Sequence, residues 1–346
     1  MKSLNRNELI ELYLSGARRF YPQLNTSTVF SCYSGESESP ISGKIELNNK
    51  LFEVNISDDI EYEVIHYTSL NSFFEIINSQ CIRMYNSLNM NDTKEIEFGL
   101  NAMNFPFDNE SIIKWKRNHF ILSTSRFDNK IKDDFNMWRL YGQNAMGVGL
   151  VFKIPKEINN WRSFTFNEID YLNKNNTTKQ FLDYHQDFQK KYKLFENTPS
   201  FVPLLASFRK DNIWSLEKET RFVAHCPFNE FNLEPKTSNF DNGIKFLNKS
   251  LSHTINSDGV KVAYIEMPIS FKSIVSKIKN DWEQSLKDSL KNNHPFLQLT
   301  GVVIGPQLVH SKFYNNVIDF IIHVANKKTD SDLNIIQSNF KDLYEN

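Results

Sequence analysis

The stretch Ile65 to Tyr85, IHYTSLNSFFEIINSQCIRMY, decides how this chain is organised. Glu61 to Tyr67 mixes β-branched and aromatic residues, which is a strand pattern, and it leads into small hydroxyl residues. Thr68 or Ser69 is placed to cap a helix, because a side-chain oxygen there accepts from the first unpaired N–H groups. Leu70, Phe73, Phe74 and Ile77 then recur at helical spacing, while Asn71, Ser72, Glu75 and Asn78 fall on the other side. Cys81 to Tyr85 returns to extended structure. This strand–turn–helix–strand order puts His66 at the mouth of a turn, where its ring can reach a ligand.

Composition bounds the answer. With 346 residues and 40% hydrophobic content, the chain can bury a large core. A formal net charge of -1 provides no global field for nucleic acid or an anionic membrane. The three cysteines, Cys32, Cys81 and Cys226, are widely spaced and form no CxxC pair, so they read as reduced and structural. The first residues lack a secretory pattern, and no apolar run approaches the ~20 residues that span a bilayer. The expectation is a cytoplasmic protein with no membrane partner.

Outward from the opening stretch, Asn7 to Phe20 reads as an amphipathic helix stopped by Pro22, and Lys44–Leu47 with Leu51–Ile56 as a hairpin. Residues 1–60 are thus expected to form an N-terminal extension packed on a core spanning 61–310. Asn91 or Asp92 caps a helix, with Glu95 in a reciprocal position. Phe120 to Ser125 is an apolar strand ending in hydroxyls; a short helix follows, closed by Gly142, and then a buried strand, Gly147 to Phe152. Thr177 to Phe195 is helical, an insertion near 175–210. Ile213 to His225 alternates as a strand, with Glu217, Glu219 and Arg221 on one face. Asn242–Leu251 and Ile269–Leu290 read as helix, Val260–Met267 and Val302–Gly305 as strand. A C-terminal helix and a frayed tail occupy 311–346. The fold class is α+β.

Common catalytic signatures do not occur: there is no GxxxxGK[ST], GxGxxG after a strand, HExxH, GxSxG or kinase set. Glu234-Pro235-Lys236 matches ExK only superficially, since proline interrupts a core strand. An ordered set remains: His66-Tyr67-Thr68-Ser69, Asn91-Asp92 with Glu95, Ser123-Thr124-Ser125, Trp138 with Tyr141-Gly142, Trp214 through Arg221, and Ile304-Gly305-Pro306. This set resembles an uncharacterised bacterial domain family with the pattern HYTS, NDxxE, WxxYG, WxxExExR and IGP. More distantly it is similar to the ADP-ribosyltransferase superfamily.

That resemblance implies a split mixed or antiparallel sheet with peripheral helices, and NAD as substrate. It implies that His66 holds the adenosine-side ribose, that Tyr141 or Trp138 stacks on nicotinamide, and that Ser123 and Ser125 support the site. Glu219, or else Glu217, would bond the nicotinamide-side ribose hydroxyl, with Tyr67, Thr68 and Arg221 also contributing to the NAD site. The acceptor would be a macromolecule, protein or nucleic acid, and no metal is expected. Toxin or phage-defence roles follow only from the resemblance. Two departures stand out: the family's ExE pair usually accompanies Arg in the first motif, here His66, and the spacing to the third motif is enlarged.

The residue types make chemical sense without the family. Breaking an N-glycosidic bond passes through an oxocarbenium-like cation, which a carboxylate stabilises and a flat ring orients. The competing structural reading makes His66, Glu217, Glu219 and Arg221 a buried polar network, with Trp138, Tyr141 and Trp214 as core. Two other classes compete with it: a metal-dependent hydrolase or nuclease built from His66, Asp92, Glu95 and Glu219, and a non-catalytic nucleotide sensor.

Overall fold

The computed structural model describes residues 6–22, 62–89, 94–127, 133–154, 164–171, 177–192, 201–226, 251–256, 259–277, 284 and 296–344. Their strands are β1 (Glu63–Thr68), β2 (Cys81–Asn86), β3 (His119–Phe127), β4 (Val148–Lys153), β5 (Phe164–Glu168), β6 (Asp170–Tyr171), β7 (Arg209–Lys210), β8 (Glu219–His225), β9 (Leu251–Ile255), β10 (Lys261–Pro268), β11 (Gln298–Ile304) and β12 (Asn334–Gln337). The chain divides into two units. One comprises Met1–Val54, Asp92–Trp115 and Ile169–Ser215; the other comprises Asn55–Asn91, Lys116–Glu168 and Leu216–Asn346.

The second unit carries a ten-stranded sheet with a path β12-β11-β4-β1-β3-β2-β10-β9, to which β8 and β5 add a branch at β3. Every described pairing in it is antiparallel except β11 with β12, so the architecture is α+β with a mixed, mostly antiparallel sheet. β3 is the centre. Along one edge β8 pairs with it from His119–His225 to Ser125–Glu219. The other edge is shared: β1 takes Ser125 to Phe127 and β2 takes Phe120 and Ile121. Between them Leu122 to Thr124 have no strand partner on that side, and the sheet forks there. β1 leaves β3 after Ile65 and continues along β4 to Thr68.

The helix Leu70–Ser79 carries the chain across the fork from β1 to β2. Of the two candidate caps, Ser69 does the work: its Oγ accepts the Ser72 N–H at 3.2 Å, while Thr68 ends β1. Gln80 closes the helix at φ 55°. Phe73, Ile76 and Ile77 are buried, each contributing about 1.5–3 kcal/mol of apolar burial. On one face of the sheet, Ile65, Tyr67, Phe127, Val151 and Val303 pack with Met137 and Trp138.

The first unit is mainly helical. Leu9, Tyr13, Leu14 and Ala17 of the helix Arg6–Ala17 pack with Phe181, Leu182 and Phe188 of the helix Thr177–Lys191 and with Ile96 and Leu100 of Glu95–Ala102. The expected N-terminal helix and the expected helical insertion therefore share one core. The hairpin expected at 44–56, the helix expected at 242–251 up to residue 250, and Asn91-Asp92 lie outside the described residues, as does most of 278–295, while Leu251 opens β9.

Two expectations are corrected. The strand expected from Ile213 begins only at Glu219, because Asn212–Glu217 is a 3-10 turn and Lys218 takes φ 44°. Gly142 does close its helix as expected, its N–H donating to Met137 O at 3.2 Å and Trp138 O at 3.1 Å, while the left-handed residues are the next three, Gln143, Asn144 and Ala145. The tail is not frayed from Lys327, since Asn334–Gln337 adds β12 beside β11. No helix among the described residues is long and apolar enough to cross a membrane.

Candidate functional site

Antiparallel pairing sets the first part of the site. Ser125 stands opposite Glu219 and Ser123 opposite Arg221, and directly opposed residues share a face. Two hydroxyls, a carboxylate and a guanidinium thus line one face of β3 and β8. Arg221 Nε donates to Glu219 Oε1 at 2.6 Å and Nη2 donates to Oε2 at 3.1 Å. The arginine is 0% and the glutamate 4% exposed, so pairing has to offset a desolvation penalty of several kcal/mol for each ion. Beside this pair the buried Ser125 Oγ has no hydrogen-bond partner among the described residues.

The second part hangs on a backbone reversal. Lys218, at φ 44°, separates Glu219 on the strand from Glu217 at the end of the 3-10 turn. Glu217 is buried, and its Oε1 accepts the Tyr141 hydroxyl at 2.8 Å. Tyr141 itself is 40% exposed. Burial, then the Glu217 bond, raise its phenol pKa above the ordinary value, so the hydroxyl keeps its proton and donates.

Local sequence explains why Tyr141 sits there. Asp134 caps the helix Phe135–Leu140 by accepting from Asn136 N–H at 2.8 Å and Met137 N–H at 3.3 Å, and Tyr141 is the C-cap. The left-handed turn that follows costs roughly 1–2 kcal/mol per non-glycine residue. It is held by Ala145 N–H to Trp138 O at 3.1 Å and Gln307 N–H to Ala145 O at 3.1 Å. A Cβ at Gly142 would strike the Trp138 ring, and one at Gly147 the Thr68 carbonyl. Gln143 Oε1 accepts the Leu70 N–H at 3.2 Å, tying the turn to the start of the helix after β1.

His66 occupies the fork. Its Nδ1 lies 3.0 Å from Ser123 O, one of the carbonyls that lacks a strand partner. A carbonyl only accepts, so the proton sits on Nδ1 and Nε2 presents a lone pair. Burial lowers the pKa below its ordinary value and the Ser123 bond opposes that, leaving a neutral ring at pH 7. Nε2 has no hydrogen-bond partner among the described residues. Strand alternation assigns His66 to the opposite face of β1 from Ile65 and Tyr67, so its link to the acid pair runs through Ser123, not side chain to side chain.

Tyr141, Glu217, Glu219, Arg221, Ser123 and Ser125 therefore gather on and beside one face of β3 and β8, and His66 joins at the fork. Trp138 does not offer a stacking face: it is 0% exposed, its Nε1–H donates to Asp133 Oδ2 at 2.7 Å, and Tyr67 meets it edge-on at 4.9 Å. Tyr67 is core as well, its hydroxyl accepting the Asp134 N–H at 2.9 Å, and Thr68 is buried at the end of β1. Trp214, expected as core, is half-exposed. Glu95 belongs to the helical unit, where Lys210 Nζ lies 3.0 Å from its Oε1. No group of three His, Cys, Asp or Glu side chains suited to a metal occurs among the described residues. Sequence reasoning missed Asp133 and Gln143; Asp133-Asp134 before Phe135 was a readable capping signal for the second aspartate only.

These features define an α+β protein with a polar site at a forked sheet. Residues 137–222, about a quarter of the chain, match the model of a family described as Protein of unknown function (DUF2971). The matched stretch opens one residue before Trp138 and closes one after Arg221, so it holds Tyr141, Glu217 and Glu219, and there the resemblance to an uncharacterised domain family stands. No curated protein and no solved structure matches the chain.

Proposed function

We propose that this protein is an ADP-ribosyltransferase-like enzyme that cleaves the nicotinamide N-glycosidic bond of NAD and transfers ADP-ribose to a macromolecular acceptor. One observation carries the reading: an accessible tyrosine bonded to the buried Glu217, beside the Glu219–Arg221 pair and a Ser125 hydroxyl that has no partner among the described residues. The fork in the sheet is compatible with a split core, and His66 is linked to the strand that carries Ser123 and Ser125 through the Ser123 carbonyl.

In this reading the C1′–N bond breaks with its electron pair leaving on neutral nicotinamide, and the ribose carries the developing positive charge. A nucleophilic oxygen or nitrogen of the acceptor then bonds to C1′ and loses its proton. Glu217 is the better candidate for stabilising that charge, because it bonds the accessible Tyr141 ring that would orient the ribose, whereas Glu219 is paired with the fully buried Arg221. Tyr141 supplies the flat wall in place of Trp138. Ser125 Oγ and Ser123 serve the nicotinamide side, while His66 Nε2 accepts a hydroxyl of the adenosine-side ribose. A role as a toxin or in phage defence belongs to the same proposal.

The test is nicotinamide release from NAD by wild type, Glu217→Gln and Glu219→Gln. Removing a charge-stabilising carboxylate costs about 3 kcal/mol of barrier, so Glu217→Gln is expected to lose about a hundredfold in kcat while remaining folded. Absence of release by wild type, with and without cell lysate as acceptor, overturns the reading. Thermal stabilisation by NAD without release would make the protein a sensor instead.

A further inference from the structure

Asp133 has no part in the proposed chemistry, yet it is buried and fully engaged. Its Oδ2 accepts the Trp138 Nε1–H at 2.7 Å and also the Ser338 hydroxyl, and its Oδ1 accepts the Asn339 N–H at 3.2 Å. A carboxylate removed from water is costly unless donors satisfy it, and here two of three come from a segment 205 residues further along the chain. That segment is anchored independently: β12 pairs in parallel with β11 over Gly301–Asn334 to Ile304–Gln337, and Ser338 N–H reaches Ile304 O at 3.1 Å. Phe340 packs on Phe135 at 5.6 Å, and its N–H donates to Ser338 Oγ at 3.1 Å.

What Asp133 grips is the helix whose last turn delivers Tyr141. Trp138, held by Asp133 through its ring, supplies the carbonyl that Ala145 N–H takes and shares the capping of Tyr141. From Asp133 the mechanical line runs through Trp138 to Tyr141 and its bond with Glu217. We propose that the C-terminal segment Asn334–Tyr344 is the positioning element of this site, fixing Asp133 through Ser338 and Asn339 and so setting where Tyr141 meets Glu217. Asp133 and Ser338 are positioning residues, acting through Trp138 and not on substrate. The catalytic consequence rests on the NAD-cleaving reading; the mechanical coupling does not.

The experiment pairs hydrogen exchange with kinetics on the full chain, in wild type, Ser338→Ala and Asp133→Asn. Misplacement by ~1 Å can cost about a hundredfold in rate. In both variants, amides of 135–147 should exchange about tenfold faster while those of 219–225 are unchanged. Their kcat for nicotinamide release should fall about tenfold or more, exceeding any rise in KM. Asp133→Asn is nearly isosteric, so the test survives if Ser338→Ala folds poorly. Unchanged exchange across 135–147 in the folded variant overturns the proposal. Should wild type release no nicotinamide, the NAD reading falls alone and exchange still decides the positioning role.

Discussion

Two histidines in different units of this protein, one buried and one partly buried, are neutral for the same reason and differ in what they leave available. In the helical unit, His185 is 1% exposed; Tyr13 Oη lies 2.9 Å from its Nδ1 and Gln189 Nε2 lies 3.1 Å from its Nε2. In the sheet unit, His66 spends one nitrogen on Ser123 O and keeps the other unbonded among the described residues. Desolvation lowers both pKa values, so protonation does not distinguish them. Hydrogen-bond completeness does. A ring closed on two protein partners reads as architecture, and a ring with one nitrogen left open among the described residues reads as a place for something else. Glu219 and Glu217 differ in what they bond: Glu219 accepts from the buried Arg221 guanidinium, and Glu217 accepts from the accessible Tyr141 phenol.

Breaking a closed group should show first in stability. Glu219→Gln leaves the Arg221 guanidinium buried with a neutral amide, and removal of one partner from a buried pair costs about 3–5 kcal/mol. Chemical denaturation should show that loss, larger than the loss in Glu217→Gln. The reverse order would mean that the buried pair contributes less to stability than the contacts of Glu217.

The next largest effect is on the acid side, and it belongs to His185. Burial pushes its pKa down to about 4 from an ordinary 6.5. The unfolded chain therefore binds a proton in a window where the folded chain does not. Stability is full above pH 6.5, falls as pH drops toward about 4, and levels off below. About 2.5 units at 1.36 kcal/mol each amount to about 3 kcal/mol. His66 and His225 shift in the same direction, so the measurement is the slope of wild type minus that of His185→Gln between pH 6.5 and 4. Equal slopes would show that His185 is hydrated in solution.

How much of this was legible in the sequence follows from the range of the forces involved. The order around His66 was readable because its helix has local periodicity and a local cap. Gly142 as the end of its helix was readable for a local reason too, and the structure adds why it is glycine: the lack of a Cβ lets the backbone approach the Trp138 ring. The break at Lys218 was hidden because Ile213 to His225 alternates plausibly, and the pairing that ends at Ser125–Glu219 is non-local. β12 and the Asp133–Ser338 bond were beyond reach, since only the folded sheet brings positions 205 apart together. Nor does an aromatic's type reveal its burial: Trp138 and Tyr141 differ by three residues and by the whole of their exposure.

Breaking an open group should spare the fold and show in ligand binding. In His66→Asn the new amide can still donate to Ser123 O, so stability should change by no more than about 1 kcal/mol. The acceptor lone pair of Nε2 is lost. If it receives a ribose hydroxyl, the Kd for NAD should rise about three- to tenfold, the equivalent of one hydrogen bond, as read by calorimetry. Loss of stability with unchanged NAD affinity would place His66 with His185 as architecture.

The smallest effect tests whether the reversal between the two glutamates stores strain. Lys218 is exposed, so its side chain gains little from burial, while φ 44° is a conformation that L-residues adopt at a cost. Glycine relieves that cost but adds freedom to the unfolded chain, so the two terms oppose each other. The strain term is the larger at a left-handed position, and Lys218→Gly should stabilise the protein by up to about 1 kcal/mol. Because the carbonyl of Lys218 still accepts the Arg126 N–H at 3.1 Å, β8 should keep its register. Turnover then becomes informative: a more stable variant with lower kcat would mean that the strained residue holds Glu217 in place, whereas unchanged kcat would mean that its side-chain contacts, Tyr141 among them, do so.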